Sequence, residues 1–97
     1  MNIKEAIDIL VKEYEIPLES GLFSKNKQKL RYMLIYILNV DLRLKYDEIK
    51  QYINIPCSCL YATKAKVVKI LTGNSDDLCL YLNVRTRLFN LINKKIM

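Results

Sequence analysis

Histidine is absent from this chain, and glycine and proline occur only twice each. Without histidine there is no imidazole to move protons near pH 7 or to ligate zinc. The two glycines, Gly21 and Gly73, lie far apart, so no glycine-rich loop cradles a phosphate. So few helix breakers also argue against a loop-rich or disordered chain. The cysteines number three, an odd count that makes no disulfide framework. Cys57 and Cys59 sit two apart on a predicted helix, about 200° around it, and cannot grip one ion together. No apolar run reaches the roughly 18 residues that span a bilayer. The opening MNIKEAIDIL is amphipathic and acidic, unlike a secretory signal. The expectation is a reduced, cytoplasmic setting, with no metal, cofactor, membrane or small-molecule substrate.

What is present is apolar and basic. Hydrophobic residues make up 52% of 97 residues, enough for one domain with a modest core. The net charge of +6 is unevenly spread: residues 1–20 carry −3 and residues 21–97 carry +9. An acidic end and a basic remainder point to a polyanion met by one side of the molecule.

Periodicity predicts helices near 3–14, 26–40, 46–53, 56–71 and 76–95, and no strand. The first opens with the Asn2/Glu5 spacing of a capping box, turns Ile3, Ala6, Ile7, Leu10 and Tyr14 inward, and stops before Pro17. The loop from Leu18 to Phe23 follows. In the second helix Leu30, Met33, Leu34, Ile37 and Leu38 share a face, and Tyr32, Ile35 and Tyr36 make the other side apolar too. Such a helix belongs at the centre of the fold. Its first turn is the exception, because Lys25, Lys27, Lys29 and Arg31 oppose the helix dipole there. Asp41 to Lys45 reads as a polar connector. Gly73 ends the fourth helix, and Asn74 or Ser75 caps the fifth. The last helix turns Leu78, Tyr81, Leu82, Leu88, Phe89 and Ile92 inward. Leu80, Val84 and Leu91 form a second apolar line on its flank, and Lys94 and Lys95 complement its C-terminal dipole.

The stretch from Tyr46 to Leu71 is the informative one. A short amphipathic helix breaks at Asn54 and Ile55, and a longer helix starts at Pro56, a residue suited to the first helical position. Leu60, Thr63, Val67, Ile70 and Leu71 line the inner stripe of that longer helix. Ser58, Tyr61, Ala62, Ala65, Lys66 and Lys69 lie opposite. This is the pattern of a helix-turn-helix, whose second helix enters the major groove of duplex DNA. Cys57, Ser58, Cys59, Tyr61 and Ala62 are the candidate base contacts. Lys25, Lys27, Lys29, Arg31, Lys45, Lys64, Lys66 and Lys69 are the candidate backbone contacts. The plainer account is helix propensity for the alanines and a solvated face for the lysines, and it leaves the concentration of cations after residue 20 unexplained. Acid–base catalysis fares worse, since Asp47-Glu48 and Asp76-Asp77 are accounted for as helix starts. Cys57, with no base beside it, reads as a small, partly buried contact.

Over nearly its whole length the chain resembles the C-terminal DNA-binding domain of the bacterial replication initiator DnaA. The likeness lies in an EAI-type helix (Glu5-Ala6-Ile7) ending at Glu13-Tyr14 and in a basic stretch from Ser24-Lys25. It continues in an Arg31 helix closing on Ile35-Tyr36-Ile37-Leu38, like the family's MYL run. Tyr46-Asp47-Glu48-Ile49 resembles LPEIG, and Lys66-Val67 resembles RKI. The resemblance implies a small all-α bundle, similar to the Trp-repressor-like folds, that binds double-stranded DNA. The family's recognition helix opens with Arg-Asp-His-Ser/Thr-Thr. Here Ile55-Pro56-Cys57-Ser58-Cys59 stands in that place, and only Ser58 is kept. Lysines replace the arginines that enter the minor groove, and lysine lacks their planar fork. The likeness thus carries the scaffold without the origin-box motif.

The expected function is a DNA-binding module without an ATPase, a regulator or replication-associated protein that marks, recruits to or blocks a DNA site, of a kind carried by phages and mobile elements. The alternative is an interaction module that kept the fold and lost DNA binding, pairing with a protein or a second copy through Leu80, Val84 and Leu91.

Overall fold

Between Leu30 and Leu38 nearly every side chain is apolar, and the fold surrounds that stretch. Met33, Leu34, Ile35, Ile37 and Leu38 are wholly inaccessible to solvent. The computed structural model describes residues 3–17, 24–73 and 75–93. Among them are five α-helices and no strand: α1 (Ile3–Tyr14), α2 (Lys25–Tyr36), α3 (Tyr46–Ile49), α4 (Cys57–Gly73) and α5 (Ser75–Asn93). A π-helical turn over Ile37–Asp41 prolongs α2. The result is an all-α bundle in which α4 and α5 pack on α2, and α1 packs on α5. No helix among the described residues is long and apolar enough to cross a membrane.

The inner face of α1 is Ala6, Ile7 and Leu10. The helix ends where Glu15 takes a left-handed φ of 54°. The Ile16 N–H then returns to the Val11 carbonyl at 3.1 Å. The Ser24 side chain caps α2 by accepting from the Lys27 N–H at 3.3 Å. The Lys27 ammonium meets Glu15 at 2.7 Å and the Tyr14 carbonyl at 3.4 Å, tying the start of α2 to the end of α1. The capping position Asn2, the loop 18–23, Asn74, Lys94 and Lys95 lie outside the described residues.

Asp41 is more than a connector residue. It closes the π turn, and its Oδ2 accepts from the Tyr81 hydroxyl at 2.6 Å and pairs with Arg85 Nε at 3.2 Å. Burial and the Asp41 carboxylate raise the Tyr81 pKa, so that hydroxyl stays a donor. The Tyr81 ring also stands edge-on to Tyr36, with centroids 5.8 Å apart.

These contacts set the rotation of α5 and correct the expectation for it. Tyr81, Val84, Leu88 and Leu91 are buried, at i, i+3, i+7 and i+10, and Leu80 packs partly against the same core. Leu78 and Leu82, expected inside, are exposed. Both flanks of α5 are apolar, so periodicity alone does not choose between them; the Asp41 tether does. Leu80, Val84 and Leu91 therefore form no outward face for a partner.

Between α3 and α4 the chain turns without glycine. Ile49, Ile53 and Ile55 are buried and pin the turn, while Asn54 between them is exposed. The α3 helix stops at Ile49, short of the expected residue 53, and hydrogen-bonded turns carry the chain onward. The Glu48 carboxylate caps α3 by accepting from the Lys45 N–H at 3.2 Å. Pro56 stands just before α4, its carbonyl accepting from the Cys59 N–H at 3.0 Å.

Leu34→Ala should cost roughly 2–5 kcal/mol in chemical denaturation. Leu82→Ala, at a position 46% exposed, should cost under about 1 kcal/mol. Comparable losses would contradict the core described here.

Arg87 forks onto Glu13, with Nη2 at 2.7 Å and Nε at 3.2 Å, joining α5 to α1. Hydrogen bonds from Arg87 and Lys27 hold the Glu13 and Glu15 carboxyls below the ordinary 4.5. Their contribution is thus present above pH 4.5 and is lost as pH falls through the lower folded-state values. The double variant Glu13→Gln, Glu15→Gln should melt below the parent at pH 7, and the gap should close in acid. A gap unchanged with pH would mean these ion pairs contribute nothing.

Candidate nucleic-acid interface

In α2, positions 25, 28, 29 and 32 follow helical spacing, so Lys25, Gln28, Lys29 and Tyr32 share one face. That face lies beside Lys66, Lys69 and Ile70 of α4, and together they line a groove of about 310 Å³. Four cations from two helices meet there, and no acid is among the lining residues. The Lys66 ammonium stands 5.0 Å from the centre of the Tyr32 ring, a cation–π distance. Lys29 is held at 3.1 Å by Asp77 at the start of α5. A second cavity of about 180 Å³ shares Tyr32 and Lys66 and runs toward the start of α4.

All five candidate base contacts (Cys57, Ser58, Cys59, Tyr61 and Ala62) are on exposed surface. They do not form one patch, because at 100° per residue they spread over about 200° of the helix. Ser58, Tyr61 and Ala62 occupy the middle of the outward arc, with Ala65 and Lys69 further along it. Cys59 leans toward α2 and lines the second cavity. Cys57 leans the other way, and it is exposed rather than partly buried.

The candidate backbone contacts divide further. Lys25, Lys29, Lys66 and Lys69 converge on the groove. Lys64 lies on the opposite flank of α4, its ammonium 5.5 Å from the Tyr61 ring centre. Lys27 is engaged with Glu15, and Lys45 is exposed at the start of α3. Neither lines the groove.

Arg31 corrects the expectation outright. It is only 6% exposed, and its Nη2 donates to the Asn54 carbonyl at 2.6 Å. The guanidinium braces the turn before α4 from inside instead of meeting a phosphate on the surface. Sequence reasoning also missed Gln28, Tyr32 and Ile70 as groove residues. The i, i+3, i+4, i+7 relation of 25, 28, 29 and 32 was the available signal for the first two. Their facing α4 rather than solvent was not legible.

No family model matches the chain, and neither the curated proteins nor the solved structures yield a match.

Arg31→Ala should lose roughly 2–4 kcal/mol of stability, through a charged hydrogen bond and lost packing. Lys69→Ala, on the exposed surface, should lose no more than about 0.5 kcal/mol. Equal, small losses in urea melts would return Arg31 to the surface.

Proposed function

We propose that the chain is a double-stranded DNA-binding module in which α3, the turn over residues 50–56 and α4 work as a helix-turn-helix. The convergence of Lys25, Lys66 and Lys69 on one groove, beside a Lys29 paired with Asp77, carries this reading. A concentration of cations in a concave strip raises the local potential and favours a polyanion, with release of its counterions. The same helix presents Ser58, Ala62 and Ala65 outward. Their small size permits close approach to base edges, and the Ser58 hydroxyl both donates and accepts. Tyr61, 75% exposed, adds an aromatic face beside them. The resemblance to the DnaA C-terminal domain supports the same use of α4. Its origin-box motif is replaced, so the target site differs from the family's. These 97 residues hold no phosphate-cradling loop, which suits marking, recruiting to or blocking a site rather than melting it.

A second reading, a protein-interaction module, rests on Val68 of α4 and Leu78 and Leu82 of α5, which are exposed apolar groups. Selection from a random duplex pool separates the two. Enrichment of one motif supports the DNA reading; no enrichment, with no salt-dependent binding, sinks it.

Lys66→Ala and Lys69→Ala should each weaken binding to every duplex and lower the slope of log affinity against log salt by about 0.9. Ser58→Ala should instead cost about 1–3 kcal/mol on the selected site and little on random duplex. If Ser58→Ala weakened both duplexes equally, α4 would not be reading bases.

A further inference from the structure

Arg31 is the only buried charged side chain among the described residues, and it lacks a counter-ion. Lys27, Lys29, Arg85 and Arg87 each meet a carboxylate within 3.2 Å. Among the described residues Arg31 has the Asn54 carbonyl as its hydrogen-bond partner, and its buried Nε has no protein acceptor. Burying an ion costs several kcal/mol unless an opposite charge and further hydrogen bonds offset it. Arg31 is among the residues that line the 180 Å³ cavity between α2 and α4. That wall also includes Lys66 and the buried Thr63, no acid, and the apolar Ile55, Pro56 and Ala62. Two cations and a hydroxyl, with no acid among the described lining residues, favour an anion there.

Shape narrows the class. A guanidinium offers parallel donors that match the oxygens of one oxyanion. A phosphodiester inside a duplex is flanked by sugars on both sides, and those keep it away from a guanidinium this deep. A phosphate with at most one ester bond can enter. We propose that this cavity binds a single terminal phosphate group, held by Arg31 and Lys66, either as inorganic phosphate or as the phosphomonoester end of a nucleic-acid strand. The site does not depend on α4 reading bases.

Thermal unfolding of the full chain at constant ionic strength tests it, with sodium phosphate replacing chloride and no DNA present. The midpoint should rise saturably with phosphate and not with chloride. Arg31→Gln removes the Asn54 tie and can unfold the chain, so two other variants carry the test. Lys66→Ala should weaken the apparent phosphate affinity roughly tenfold, the loss of one charged hydrogen bond. Ala62→Glu places a carboxylate at the exposed edge of the cavity and should abolish the response while the helical circular dichroism remains. A second arm assigns the source by comparing 5′-phosphorylated and 5′-hydroxyl strands of one sequence. Tighter binding of the phosphorylated strand, competed away by free phosphate, assigns the strand end; equal binding assigns inorganic phosphate. A phosphate response no larger than that of chloride, or one that survives in Ala62→Glu, overturns the site, whatever the duplex titrations show.

Discussion

A helix that is apolar around its whole circumference must be covered on every side, and α2 with its π turn is such a helix. From Met33 to Leu38 only Tyr36 reaches solvent at all. Removing that much apolar surface from water is the dominant favourable term in folding. The other helices are arranged to achieve it, with α4 and α5 laid directly against α2. The first turn of α2 alone escapes coverage, so its lysines emerge beside α4. The basic groove is thus a consequence of how the core closes.

Polar contacts then choose among packings that the core would tolerate. Asp41, brought round by the π turn, accepts from Tyr81 and Arg85 and so selects which flank of α5 faces inward. Arg31 does the same for the turn ahead of α4, which has no glycine and is shaped by buried isoleucines and one carbonyl bond. Each of these ties joins residues more than twenty positions apart. Local propensity has no knowledge of them.

The charge asymmetry is partly consumed within the fold. Glu13 and Glu15 near the acidic end engage Arg87 and Lys27, and Asp77 engages Lys29. The solvent-facing pairs of Glu13 and Glu15 contribute little stability each. Their larger effect is on the map of charge. Lys25, Lys66 and Lys69 are left together on one side, lining one groove.

By itself the sequence determined the helical class, the near positions of all five helices, the central burial of α2 and the inner and outer faces of α4. Those follow from a 3.6-residue apolar period, from caps and from proline, all of which act within a few residues. It named Lys25, Lys29, Lys66 and Lys69 among eight candidate cations, but their meeting in one groove depends on how α2 packs on α4. The tertiary structure alone decided the rotation of α5, because two apolar flanks satisfy the same period and long-range contacts, those of Asp41, Glu13 and Lys29 among them, distinguish them. Only the fold could show Arg31 as an internal brace beside a cavity that Lys66 also lines, since neighbours in sequence do not reveal a partner 23 residues away. Burial is a property of what packs on a residue, and for Val84 and Arg31 the covering elements come from elsewhere in the chain.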